Sequence, residues 1–229
     1  MGRTFVLGDI HGAYRAMIQC FERSGFNRDE DELICLGDVC DGWPETKRCI
    51  DELLRIKHLI YILGNHDTWL LKWMKTGTIE NIWYVQGGEA SIHSYVGEAI
   101  PQEHIELLEN ARPYHIRDTM LFVHAGIDPS VRIEKQSNDI FLWDRSLARR
   151  ALNHYVKGER MKLSSFEEIY VGHTPTTYGV PVKACEVWMM DTGAGWSGQL
   201  SIMNIETKEY FVSDAVPALY PGIQGRSRG

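Results

Sequence analysis

Leu33-Ile34-Cys35-Leu36-Gly37-Asp38-Val39-Cys40-Asp41 is the stretch on which the fold turns. Its apolar run reads as a buried strand that stops at Gly37 and then presents carboxylates. A strand ending this way delivers Asp38 to the carboxyl edge of a sheet, where open α/β folds place their chemistry. The pattern recurs on either side. Thr4–Leu7 reads as a strand before Gly8-Asp9-Ile10-His11-Gly12, and His58–Leu63 as one before Gly64-Asn65-His66-Asp67. Helix-spaced apolar residues come after each break. They are Tyr14, Met17, Ile18 and Phe21 up to Gly25; Cys49, Ile50, Leu53 and Leu54 after Pro44; and Trp69, Leu70, Leu71, Trp73 and Met74 up to Gly77. The resulting βαβαβα order predicts parallel strands with right-handed crossovers. It puts Asp9, His11, Asp38, Asn65 and His66 on one edge of one sheet.

Farther along, residues 78–117 read as a helical cap, with Gln102–Asn110 helical. Thr119–Val123 is a strand breaking at His124-Ala125-Gly126, and 128–166 is a polar, helix-prone excursion containing Leu142-Trp143-Asp144-Arg145. Ile169–Val171 is a strand breaking at Gly172-His173-Thr174-Pro175. Val187–Met190, Leu200–Ile205 and Tyr210–Val212 predict an antiparallel finish, with Asp191-Thr192-Gly193 shaping a turn beside the site. One domain is expected over 1–216, with 217–229 a flexible tail.

Composition narrows the class. The net charge of −7 argues against a general nucleic-acid binder, which shows a basic face. Five cysteines without a CxxC fit reduced thiols in a cytoplasmic protein better than a disulfide frame or a structural zinc site. The chain enters Thr4-Phe5-Val6-Leu7 at once, leaving no room for a signal peptide, and no apolar run approaches the roughly 18 residues a membrane span needs.

Five strand ends therefore carry ligand-type side chains: Asp9 with His11, Asp38, Asn65 with His66, His124, and His173. Carboxylate, imidazole and amide oxygen suit divalent first-row ions such as Mn²⁺, Fe²⁺ or Zn²⁺. The set exceeds what one ion needs, and a shared Asp38 divides it. Asp9, His11 and Asp38 hold one ion, and Asp38, Asn65, His124 and His173 hold the other. Paired ions about 3.5–4 Å apart clamp the attacking and leaving oxygens of an in-line displacement and activate water near neutral pH. His66 is left free of metal and is assigned as the general acid, oriented by Asp41.

These blocks, with Leu142-Trp143-Asp144-Arg145 and Asp191-Thr192-Gly193-Ala194, resemble the signatures of the calcineurin-like metallophosphoesterases. More narrowly they look like the phosphoprotein phosphatase family of serine/threonine phosphatases, in its compact bacterial and bacteriophage, lambda-type, form. The likeness runs from about residue 3 to 212. Any one block alone is ordinary turn chemistry; five in order are specific. The resemblance implies an α/β fold, a β-sandwich flanked by helices with a dinuclear metal site at the strand ends. It also implies phosphomonoester hydrolysis by direct attack of metal-activated hydroxide, on a phosphorylated protein or a small phosphate ester. Symmetrical diadenosine tetraphosphate hydrolysis is the alternative, since enzymes of that type share similar blocks. The family further implies two arginines gripping the phosphate. Arg145 matches one; the other should follow Asp41, where this chain has Gly42. Arg112, Arg117, Arg149 and Arg150 are candidates to replace it, and the sequence does not choose among them.

Overall fold

Alternation along each strand builds a two-sheet sandwich. The computed structural model describes residues 2–226. The first sheet has the order β10-β9-β1-β2-β3, from β1 (Thr4–Leu7), β2 (Glu32–Cys35), β3 (His58–Tyr61), β9 (Ser201–Asn204) and β10 (Tyr210–Val212). The second has the order β4-β5-β6-β8-β7, from β4 (Tyr114–Arg117), β5 (Met120–Val123), β6 (Glu168–Val171), β7 (Val182–Ala184) and β8 (Val187–Met189). Successive side chains of a strand face opposite ways. Val6, Ile34 and Met203 thus meet Phe122, Tyr170 and Met190 between the sheets, with Leu36, Ile62 and Ile205 completing that layer. The intervening Phe5, Leu7, Leu33, Cys35 and Ile202 face the helices outside.

Those helices are α1 (Tyr14–Ser24), α2 (Thr46–Leu53), α3 (Asn65–Thr76), α4 (Asn81–Trp83), α5 (Glu89–His93) and α6 (Gln102–Glu109). Met17, Cys20, Phe21, Cys49, Ile50, Leu53 and Leu70 supply their share of the first core. The second sheet is covered by α7 (Asn138–Trp143) and α8 (Ser146–Val156), through Phe141, Leu147, Ala148 and Ala151 against Leu121, Val123, Ile169 and Val171. No helix among the described residues is long and apolar enough to cross a membrane.

The three N-terminal strands pair in parallel, Val6 beside Ile34 and Ile34 beside Ile60. The C-terminal strands differ from the expected antiparallel run. β9 and β10 do pair antiparallel, beside β1. β8 instead leaves for the second sheet, parallel to β6 and antiparallel to β7. β4 lies within the stretch read as a helical cap; its half-exposed side chains lack the alternation that would announce a strand. The segment expected to be a flexible tail is held against the fold at Tyr220 and again at residues 225 and 226, with 221–224 exposed between them. α9 (Val216–Leu219) leads into Tyr220, which is buried, stacks on Trp43 at 5.2 Å and donates to Glu45 Oε2 at 2.5 Å. The rest of that expectation, 227–229, lies outside the described residues.

At the end of the sandwich where β6 begins, Glu168 is surrounded by donors. Lys208 Nζ pairs with it, Tyr170 Oη donates at 2.8 Å, and Lys183 Nζ donates at 3.0 Å. Burial alone would raise this carboxyl, but those partners outweigh it and hold it down at about 2.

Candidate active site

The opposite end of the sandwich is built from the turns just past the carboxyl ends of β1, β2, β3, β5 and β6. These place Asp9 and His11, Asp38, Asn65 and His66, and His173 around one pocket, with His124 close behind Asp38 and His173, and every one of these side chains is buried. The backbone is bent to do it. His11, Asp38, Asp41 and His173 all have left-handed φ, at 51°, 51°, 73° and 58°. Such a φ is uncommon for non-glycine residues and costs on the order of 1 kcal/mol each. Two glycines make the crowding feasible. A Cβ at Gly64 would sit 2.2 Å from Asp38 Oδ1, and one at Gly172 would sit 2.0 Å from Asp9 Oδ1.

Asp67 ties the turn together. Its Oδ2 accepts from Asp38 N and Gly64 N, each at 2.9 Å, and from Tyr61 Oη at 2.8 Å; its Oδ1 accepts from Val39 N at 3.0 Å. One carboxylate thus caps the start of α3 and fixes the loop carrying Asp38. His66 N in turn donates to Asp38 Oδ1 at 2.9 Å.

Two sets of ligand-type atoms, each within 4.8 Å, share Asp38: Asp9, His11 and Asp38, and Asp38, His124 and His173. Asn65 Oδ1 adjoins the second set, 2.9 Å from His124 Nε2. Tautomers follow from the outer contacts. His11 Nδ1 lies 2.9 Å from Cys40 O and His124 Nδ1 lies 2.8 Å from Leu36 O, so each ring must donate there. In both neutral rings the bare Nε2 then faces Asp38, 3.7 Å away for His11 and 3.5 Å for His124. This is the usual outer support of a metal-ligating imidazole. With Nδ1 carrying the proton, His124 Nε2 and Asn65 Oδ1 both offer lone pairs that one cation would accept.

The electrostatics agree. Burial, with Asp191 and Asp38 nearby, pushes Asp9 well above the carboxylate range, and its buried Oδ1 has no hydrogen-bond partner. Burial pushes Asp191 up to about 6 despite the Gly193 N–H it accepts. Burial and neighbouring cations lower His11 to about 3, and burial with His124 lowers His173 to about 2. Burial works against ionising Asp38 as well, but His124 and the other imidazoles outweigh it and hold this shared carboxyl below the usual carboxylate range. An ionised carboxylate near two carboxyls that resist ionising, beside imidazoles that resist protonating, is a donor set suited to divalent cations. No thiolate belongs to it.

Beside this set, His66 Nδ1 lies 2.7 Å from Asp41 Oδ2. Asp41 is fully buried and also accepts from Trp83 Nε1 at 2.7 Å and Ser91 Oγ at 2.7 Å, which fix its plane. The ring of His66 packs edge-on against His11 and Trp69, each at 5.2 Å. Arg145 lines the pocket too, donating to His173 O at 3.2 Å while its buried Nε has no partner.

The pocket encloses about 50 Å³ and is also lined by Gln86, Trp143, Asp191, Trp196 and Arg226. It adjoins a groove of about 1080 Å³ past Arg145, Thr176, Trp196 and Arg226. None of the four arginines proposed as substitutes lines the pocket. Arg112 contacts His115, Arg117 pairs with Glu32 beside β1, Arg149 reaches only an outer depression beside Arg145, and Arg150 is exposed. The turn at Gln86-Gly87-Gly88 reads from the sequence as one that the cap could bring near substrate, and Gln86 does line the pocket. Trp83, Ser91, Trp196 and Arg226 carry no such signal. They sit on the short α4 and α5 and on irregular segments without periodicity, so only the tertiary fold brings them here.

The sequence model of the family described as calcineurin-like phosphoesterase matches residues 2–186. The chain belongs to that family. It is a hydrolase family that uses divalent metals, in keeping with the two overlapping donor sets. A serine/threonine-protein phosphatase 2 of Salmonella typhimurium is 30% identical over 88% of this chain and 92% of its own length. A symmetrical bis(5'-nucleosyl)-tetraphosphatase of Nitrosomonas europaea is 26% identical over 81% of this chain and 63% of its own. Among solved structures, a protein serine/threonine phosphatase of Saccharomyces cerevisiae superposes with a TM-score of 0.65 at 12% identity, covering 98% of this calcineurin-like chain and 83% of its own. This last likeness concerns the fold.

Proposed function

We propose that this calcineurin-like phosphoesterase hydrolyses phosphomonoesters of phosphoserine and phosphothreonine type, in the cytoplasm, with Mn²⁺ as its preferred ion. The observation that carries the reading is the buried Asp41–His66 pair beside the ligand cluster. An alkoxide is a poor leaving group and needs a proton as it departs. A nucleotide released from a dinucleoside polyphosphate leaves as a phosphate anion, whose last pKa is about 6, and needs none. A positioned acid is worth about 10²- to 10⁴-fold to the first reaction and little to the second.

Asp9, His11, Asp38, Asn65, His124 and His173 would hold the ions, which supply Lewis acidity and a nucleophile derived from water. The chain's own residues do the rest. Asp41 accepts from His66 Nδ1–H and keeps the ring's Nε2 toward the pocket, from which a proton passes to the ester oxygen. Arg145 faces the phosphoryl oxygens as charge spreads onto them. The oxygen and imidazole donors support Mn²⁺ over softer ions. Five free cysteines, four of them buried, support the cytoplasmic placement.

Dinucleoside polyphosphate hydrolysis is the second reading, favoured by the tetraphosphatase relative. Chelated protein given back Mn²⁺ and offered a phosphopeptide, p-nitrophenyl phosphate and diadenosine tetraphosphate decides between them. The phosphopeptide is expected to have the highest kcat/KM. Preference for the dinucleotide would overturn the proposal.

A further inference from the structure

The backbone at Gly42 leaves a gap, and an arginine from far along the chain fills it. A Cβ built on Gly42, whose φ is +131°, would lie 3.0 Å from Arg226 Cγ. One on Gly87 would lie 3.2 Å from the same atom, and one on Gly195 would lie 3.2 Å from Arg226 Cδ. The Arg226 stem therefore runs through a slot walled by three glycines, where a side chain at position 42 would crowd it. Its path is fixed at both ends. Before it, Tyr220 stacks on Trp43 and Gly225 packs close against that indole. At the slot, Arg226 N donates to Gly195 O at 2.9 Å, and the guanidinium lies over the Trp196 ring at 4.6 Å.

The head group is anchored by a neutral acceptor rather than by an ion pair. Arg226 Nη2 donates to the neutral Gln86 Oε1 at 3.3 Å, and its buried Nε has no partner. Arg145 is in the same condition, with a carbonyl as its acceptor and its own Nε unpartnered. Among the described residues neither guanidinium forms a salt bridge, yet both line the small pocket that holds Asp9, Asp38 and Asp191. Guanidinium is costly to remove from water without an anionic partner, and its planar fork fits two oxygens of a tetrahedral oxyanion.

We propose that Arg226 is a substrate-binding residue of this site, gripping the phosphoryl group jointly with Arg145 in place of a side chain that position 42 cannot supply. The inference rests on the phosphatase reading above. Substrate affinity then depends on the segment after α9 being seated in its slot, and a phosphoryl group is clasped from two directions, by the α7–α8 junction and by residues 220–226.

The test uses full-length, metal-loaded protein with Arg226→Met, which keeps the stem, and Arg226→Lys, which keeps the charge without the fork. Binding of inorganic phosphate is measured by calorimetry, beside metal content, melting temperature and KM for p-nitrophenyl phosphate. Arg226→Met is expected to weaken phosphate binding and raise KM by about 10- to 100-fold, the worth of a charge-assisted hydrogen-bond pair. Arg226→Lys is expected to fall between, with metal content and melting temperature as in the parent. Parent-like phosphate affinity in Arg226→Met overturns the assignment. So does a loss of affinity matched by lost metal or lost stability in both variants, which marks a structural role. Failure of the phosphatase reading has a different signature: a metal-loaded parent that neither binds phosphate nor turns over the aryl ester.

Discussion

The two ends of β6 face opposite electrostatic problems. At its start, Glu168 has Lys208, Lys183 and Tyr170 around it and is held at about 2. Just past its other end, His173 looks into a group where Asp9 is pushed well above the carboxylate range and Asp191 up to about 6. The start half-buries its carboxylate and the far end buries its carboxylates fully. One end supplies the counter-charge from within the chain and closes its own network. The other gathers Asp9, Asp38 and Asp191 with the imidazoles of His11, His66, His124 and His173. The imidazoles hold Asp38 low against its burial, but Asp9 and Asp191 stay raised, as suits a cluster whose remaining counter-charge comes from outside. An unbalanced cluster of this kind is the physical mark of a site, and a balanced one is the mark of a scaffold.

The sharpest way to break this contrast is to remove the shared carboxylate. Asp38→Asn is expected to bind fewer ions than the parent by elemental analysis and to lose turnover by more than about 10³-fold. A variant with full metal content would dissolve the distinction between the ends. His66→Asn is next. It should lower kcat for alkyl phosphates by about 10²- to 10⁴-fold with metal content unchanged, while aryl phosphates, whose leaving groups need less help, suffer less. Equal losses for both esters would remove His66 as the acid.

Stability measurements then compare the ends directly. Glu168→Gln should destabilise the fold by about 1 kcal/mol at pH 7, read from a denaturant midpoint. Its folded-state pKa is depressed, so its contribution is complete above the unfolded-state value of about 4.3 and fades as pH falls toward 2. The gap between parent and variant should therefore narrow in acid. Asp191→Asn, the smallest effect, should have the opposite sign. In chelated protein near pH 8 it relieves a buried carboxylate with a raised pKa and should stabilise by up to about 1 kcal/mol. Destabilisation there would show that Asp191 is held by its Gly193 contact rather than strained by its neighbours.

Much of this was legible in the sequence because strand, Gly and polar residue succeed one another locally. Leu33–Asp41 predicted a strand and the carboxylate just beyond it, and β2 ends at Cys35 with Asp38 in the pocket. Paired sheets entered only through the family resemblance, since period-2 burial tells which residues are inside but not which sheet they join. Val187–Met189 looks like its neighbours in sequence, yet it pairs with β6 rather than with β9. Asp67 stood in a quoted motif without a role, because four backbone and hydroxyl donors converge on it only once β2, β3 and α3 are assembled. Arg226 carried no local signal at all. Its slot is formed by glycines at 42, 87 and 195, which share no element and no spacing.

The position of β1 between β2 and β9 bears on how the protein folds. One edge of β1 is satisfied within the first few dozen residues. The other waits for a strand that begins at Ser201, and the Asp9 carboxylate beyond it accepts from the backbone of His173 at 2.9 Å. Contacts of such long range slow folding and leave a partly made chain with an open, apolar strand edge. Metal uptake, which needs His124 and His173 of the second sheet beside Asp9 and Asp38, should thus lag behind the pairing of β1, β2 and β3 during refolding, making it a reporter of when the two sheets close on each other.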